Sequence, residues 1–146
     1  MFQKMKGIID EFLFRYKDGL ICSFEGDNMW NFYDWSEYAS GTLNKAQNSE
    51  PDLFINSLFL ISLDNFKFIC ESLEKEFPYS DTLASDIRRV AKERFLDGCG
   101  MLSARINAKE YTVLGNSLAI LSGIVTGEDA RLLCEKITDC NNEMVD

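Results

Sequence analysis

The chain has 146 residues, 46% of them hydrophobic, 12% aromatic and 27% charged, so it is long enough to bury one core, and intrinsic disorder is excluded. With 24 acidic against 15 basic residues the formal charge is −9, which repels phosphate backbones and argues against a nucleic-acid partner. Histidine is absent, and this removes Ser-His-Asp and Cys-His catalysis, histidine-ligated zinc and histidine pH switching together.

The pattern is mainly helical. Met5, Ile8, Ile9, Phe12, Leu13 and Tyr16 fall at helical spacing and predict a first amphipathic helix, stopped by Asp18-Gly19. Residues 20–50 hold no sustained period and are rich in Gly, Asn, Asp, Ser and aromatic residues; long irregular segments of this kind tend to carry function. A second helix is predicted from Asp52 to Phe77, between Pro51 and Pro78, with a first half apolar on nearly every side that should be enclosed by neighbours. A third runs from Ser80 or Asp81, either a suitable cap, to Phe95, burying Leu83, Ile87, Val90, Ala91 and Phe95. Gly98-Cys99-Gly100 ends it, and Met101 to Val113 reads as two short strands or extended pieces. A short apolar helix around Asn116–Ser122 follows. The last, Gly127–Asp139, opens on a capping box of Thr126 and Asp129 and buries Ala130, Leu133 and Ile137. No internal repeat of recognisable period is evident.

The cysteines, Cys22, Cys70, Cys99, Cys134 and Cys140, form no CxxC pair and no metal-ligand spacing, so neither metal nor cofactor is expected, and the thiols read as reduced residues of a cytoplasmic protein. The N-terminal Met-Phe-Gln-Lys-Met-Lys lacks the apolar run of a signal peptide. The longest apolar stretch, Leu53 to Leu63, is interrupted by polar residues and too short to span a bilayer, so no membrane is expected.

The densest chemical signal is Trp30-Asn31-Phe32-Tyr33-Asp34-Trp35-Ser36, preceded by Glu25, Asp27 and Asn28. Flat aromatic faces cover the C–H face of a sugar ring, while carboxylate and amide groups bond its hydroxyls. The competing interpretation is that the tryptophans anchor a long loop onto the helices. The charge cluster Glu71, Glu74, Lys75 and Glu76 reads as a wetted helix face, and Arg88, Arg89, Lys92 and Arg94 as cations paired with Asp81, Asp86 or Glu93.

Trp30-Asn31-Phe32-x-Asp34-Trp35-Ser36, after a helix and Asp18-Gly19-Leu20, resembles the catalytic domain of bacterial α-L-rhamnosidases, a six-hairpin (α/α) toroid. Phe95-Leu96-Asp97-Gly98-Cys99-Gly100-Met101-Leu102 and Asn116-Ser117-Leu118-Ala119 are similar to later elements of that family. The resemblance implies an all-α chain with a short β-hairpin, spanning residues 1–146 as a single partial toroid domain. It implies that Trp30, Asn31, Asp34 and Trp35 form part of the wall for a terminal rhamnose-like sugar. The family's general acid lies in an Asp…Glu-Arg…Trp-x-Gly-Asp stretch that does not occur here, and Leu114 stands where members commonly carry histidine. No catalytic residue is therefore assigned, and the isolated chain is expected to be an inactive, weak carbohydrate binder. The alternative is a non-catalytic acidic helical module that associates with itself or a partner through exposed helix faces.

Overall fold

The computed structural model describes residues 2–22, 50–106 and 111–143, with side chains as far as residue 139. Among them the fold is helical with one short hairpin.

Helix α1 (Phe2–Leu13) ends three residues before Tyr16. Tyr16 instead opens a hairpin, β1 (Tyr16–Lys17) and β2 (Leu20–Ile21), in which Tyr16 faces Ile21 and Lys17 faces Leu20. Asp18 and Gly19 both have positive φ, 51° and 86°, as a two-residue type I′ turn requires and as Asp-Gly favours. The pair closes a hairpin rather than stopping a helix. On α1, Ile9 is buried and Phe2, Met5, Phe12 and Leu13 pack against the core, whereas Ile8 points to solvent.

Helix α2 (Leu53–Ser72) is capped by Asp52 and stops five residues before Phe77. The Glu74 N–H bonds the Glu71 carbonyl, the Lys75 N–H bonds that of Cys70, and Glu74 takes a φ of 51°. This is a Schellman closure with glutamate at the position glycine usually fills, so the sequence carries no glycine to mark it. The expected enclosure of α2 is observed: α1, β2 and two later helices pack on it, and Phe59, Leu60, Leu63 and Phe66 are buried. At 20 residues it is longer than the apolar run expected to be too short for a bilayer. By length and composition it could cross one, yet half of that stretch is buried inside the fold.

Helix α3 (Leu83–Phe95) starts later than its expected caps: Thr82 holds the cap position without a side-chain bond to the helix. Asp81 is engaged elsewhere, by Lys67 of α2 at 2.7 Å. The buried stripe is as expected, with Ile87, Ala91 and Phe95 interior and Leu83 and Val90 packed beside them. Residues 101–106 form no strand and bend at Ala104; Leu102 bridges Leu96, and Arg105 bridges Asp52. Helix α4 (Val113–Leu121) begins three residues before Asn116 because the Thr112 side chain accepts the Gly115 N–H at 3.0 Å. Helix α5 (Gly127–Glu143) starts where the capping box places it and continues past Asp139, with Leu133 and Ile137 buried.

Contacts along the helices fix their directions. Phe2 stacks on Phe66 at 5.2 Å and Phe12 meets Phe59 at 5.9 Å, so α1 runs antiparallel to α2. Asp81 at the entrance to α3 holds Lys67, and Ala104, past the end of α3, accepts the Leu53 N–H, so α3 is antiparallel too. A Cβ at Gly115 would lie 3.5 Å from Leu53, while Arg88 joins Asp64 to the Ser122 carbonyl. Helix α4 is therefore parallel to the first half of α2. Lys92 pairs with Asp129 and Lys136 bonds the Cys99 carbonyl, which sets α5 running with α3. Two parallel helices, α2 and α4, thus alternate with α1, α3 and α5 running the other way.

Candidate functional site

The N-terminal ends of α2 and α4 lie side by side, and three extended pieces converge there. Cys22 pairs with Pro51, Asp52 with Arg105, and the Leu53 N–H donates to the Ala104 carbonyl at 2.9 Å. The connection 23–49 consequently leaves and returns at a single place, the head of α2.

Two asparagines build this junction in the same way. Asn56 sits four residues after the cap Asp52; its Oδ1 accepts the Ile21 N–H at 2.8 Å, and its Nδ2 donates to the Ile21 and Asp52 carbonyls. Asn116 sits four residues after the cap Thr112; its Oδ1 accepts the Leu102 N–H at 2.9 Å, and its Nδ2 donates to the Leu102 and Thr112 carbonyls. Both amides are fully buried, and both caps have the same extended backbone, near φ −120°. Each asparagine satisfies both the N–H and the carbonyl of one buried residue, Ile21 or Leu102, which is why a polar side chain is retained in the core. The structure therefore repeats a unit with a 60-residue offset that was not evident as a sequence repeat. Only a cap and an asparagine are shared, and the connections inside the two units differ in length. The recurrent cap-x-x-x-Asn spacing was the available signal.

Asp52 is the electrostatically unusual group of the junction. It is 5% exposed, and its Oδ1 accepts the Phe54 N–H at 2.7 Å and the Ile55 N–H at 3.2 Å. Burial pushes its carboxyl up to about 6, against the lowering effect of those two N–H groups and of Arg105. A second carboxylate, Asp97, closes the turn after α3. Its Oδ1 accepts the Cys99 and Met101 N–H groups at 3.0 and 3.1 Å, and the Cys99 thiol and Tyr111 hydroxyl also bond it. Burial works to raise Asp97, but these donors outweigh it and hold the carboxyl down at about 2. An acid held that low, with its lone pairs committed within its own loop, is a structural anchor and a poor proton donor.

Trp30, Asn31, Asp34 and Trp35, with Glu25, Asp27 and Asn28, lie in 23–49, outside the described residues. The expected cation pairing is met for Arg89 with Glu93, whereas Arg88 reaches Asp64 and Lys92 reaches Asp129. These partners come from neighbouring helices, and helical spacing alone does not reveal them. Cys70, Cys99 and Cys134 are free thiols, and among the described residues no cluster of three His, Cys, Asp or Glu could hold a metal ion. Comparison with protein-family models, curated proteins and solved structures returned no match.

Proposed function

We propose that the chain is part of an (α/α) toroid related to the α-L-rhamnosidases, contributing a sugar-binding wall through Trp30, Asn31, Asp34 and Trp35. The observation that carries this reading is the repeated unit of antiparallel helix, extended piece, cap and buried asparagine. Such alternation is how helical hairpins are stacked around a ring, with their connections gathered on one rim. The connection that bears Trp30-Asn31-Phe32-Tyr33-Asp34-Trp35-Ser36 is rooted at the junction where the two units meet. The perturbed carboxylates at this end are committed to the scaffold, Asp52 as the buried cap of α2 and Asp97 within its own turn, which leaves the sugar contacts to the connection 23–49. Inverting hydrolysis needs an acid and a base about 6.5–9.5 Å apart across the sugar, and we assign neither to this chain.

The only tryptophans of the chain are Trp30 and Trp35, so intrinsic tryptophan fluorescence reports on this wall alone. L-rhamnose should quench it saturably in the millimolar range, Trp35→Ala should abolish the response, and the purified chain should not cleave an aryl α-L-rhamnoside. Absence of quenching at several hundred millimolar sugar rejects the wall; cleavage by the isolated chain rejects the inactive part of the proposal.

One feature supports the alternative of self-association. Asp64 and Lys67, charges of α2, pair toward α3 and its entrance, while Leu58 and Phe68 on α2 and Leu114 and Leu121 on α4 are exposed. In a ring, a neighbouring hairpin covers such a face; in the alternative, a second copy does. Concentration-dependent sedimentation that Phe68→Glu eliminates favours the second case.

A further inference from the structure

A cavity of about 130 Å³ lies between the end of α3, the turn at Gly100 and the first half of α5, lined by Leu96, Leu102, Val125, Leu132, Leu133 and Lys136, among others. Its walls are apolar and its charged rim is asymmetric. Lys92 is already neutralised by Asp129 at 2.7 Å. Lys136 has a different partner, the backbone carbonyl of Cys99, and among the described residues no carboxylate lies within ion-pair distance of it. An ammonium has three donors, so one neutral acceptor leaves Lys136 with capacity for an anion. Gly100 keeps this arrangement open: with φ at 76°, a Cβ there would come within 2.5 Å of Lys136 Nζ.

We propose that this cavity binds a short aliphatic monocarboxylate, with its chain against Leu102, Val125 and Leu133 and its carboxylate on Lys136. The volume holds about four groups the size of a water or a methylene, which matches the carbons of butyrate. A dianion such as phosphate fits less well, because Lys136 alone cannot neutralise it, the charge of Lys92 is already offset by Asp129, and the chain carries −9 overall. None of its lining residues is one assigned to the sugar wall, and its test does not depend on that reading.

The test is a titration of ¹⁵N-labelled full-length chain with sodium butyrate at constant ionic strength, followed by amide chemical shifts. Gly100, Val125 and Leu132 should shift saturably, with Kd in the range of about 1–10 mM expected for so small a ligand. Acetate, which lacks the chain, and 1-butanol, which lacks the charge, should each bind at least about fivefold more weakly, a difference of about 1 kcal/mol. Lys136→Met, which keeps the apolar stem, should weaken butyrate by a similar factor. Asp129→Asn frees Lys92 and should tighten it about two- to threefold, as a partly exposed charge allows. Shifts that stay linear with butyrate, equal affinity for 1-butanol, or unchanged affinity in both variants overturn the proposal.

Discussion

Asp52→Asn removes the buried charge at the head of α2 while keeping an oxygen that can accept the Phe54 and Ile55 N–H groups. Burial raises the Asp52 carboxyl from 3.8 to about 6 in the folded chain. Because the folded value is the higher one, the favourable contribution is fully present below pH 3.8 and is lost as pH rises through about 6. The penalty for ionising the folded chain works out at about 1–2 kcal/mol at pH 5 and about 3 kcal/mol at pH 7.5. The variant escapes it. It should be more stable than the parent by about 2–3 kcal/mol at pH 7.5, or about 4–10 °C in Tm for a chain of this size, and by roughly half as much at pH 5. Asp52→Ala loses the cap as well and should fall about 1 kcal/mol below the asparagine variant at both pH values. Urea denaturation followed by circular dichroism at 222 nm gives both quantities without relying on the tryptophans. If the asparagine variant is less stable at pH 7.5, or its difference from the parent is the same at both pH values, the buried-charge reasoning fails.

Other expectations follow from the same contacts. Asn116→Ala strips partners from the buried Leu102 N–H and carbonyl and should cost about 2–5 kcal/mol, with Asn56→Ala equivalent at Ile21; a loss under 1 kcal/mol by urea denaturation contradicts the duplicated role. Gly19→Ala forces an alanine to φ 86° and its Cβ to 2.8 Å from Val90 Cγ2, a cost of about 2–4 kcal/mol, whereas a Val90→Ala background, which removes both Cγ contacts and leaves the Cβ at 3.2 Å, should bring the cost down toward the backbone share of about 1–2 kcal/mol. Tyr79 is held above the ordinary phenol range by burial and by Asp10, and Tyr111 by its bonds with Asp97 and Cys99. Ultraviolet titration should show at least two of the five tyrosines ionising late, with Tyr79→Phe and Tyr111→Phe each deleting one.

The apolar periodicity of residues 53–70, 83–95 and 127–137 was enough to locate α2, α3 and α5 and most of their buried residues, because burial of a stripe depends on spacing along one helix. The capping box at Thr126 likewise marked the start of α5. Local chemistry misled where one dipeptide serves two structures: Asp-Gly can end a helix or turn a hairpin, and only the Ile21–Asn56 bonds and the contact of Gly19 with Val90 favour the hairpin. The left-handed Glu74 gave no signal, since its Schellman bonds need backbone geometry that a glutamate does not advertise. The partners of Arg88 and Lys92, and the joining of residues 22, 52, 56 and 105 at one junction, link segments up to 83 positions apart. Composition and spacing determine which stretches coil and which faces are apolar. Which polar groups are buried together, and therefore which carboxylate is raised and which is held down, depends on how those faces pack, because desolvation and hydrogen bonding are properties of the assembled core.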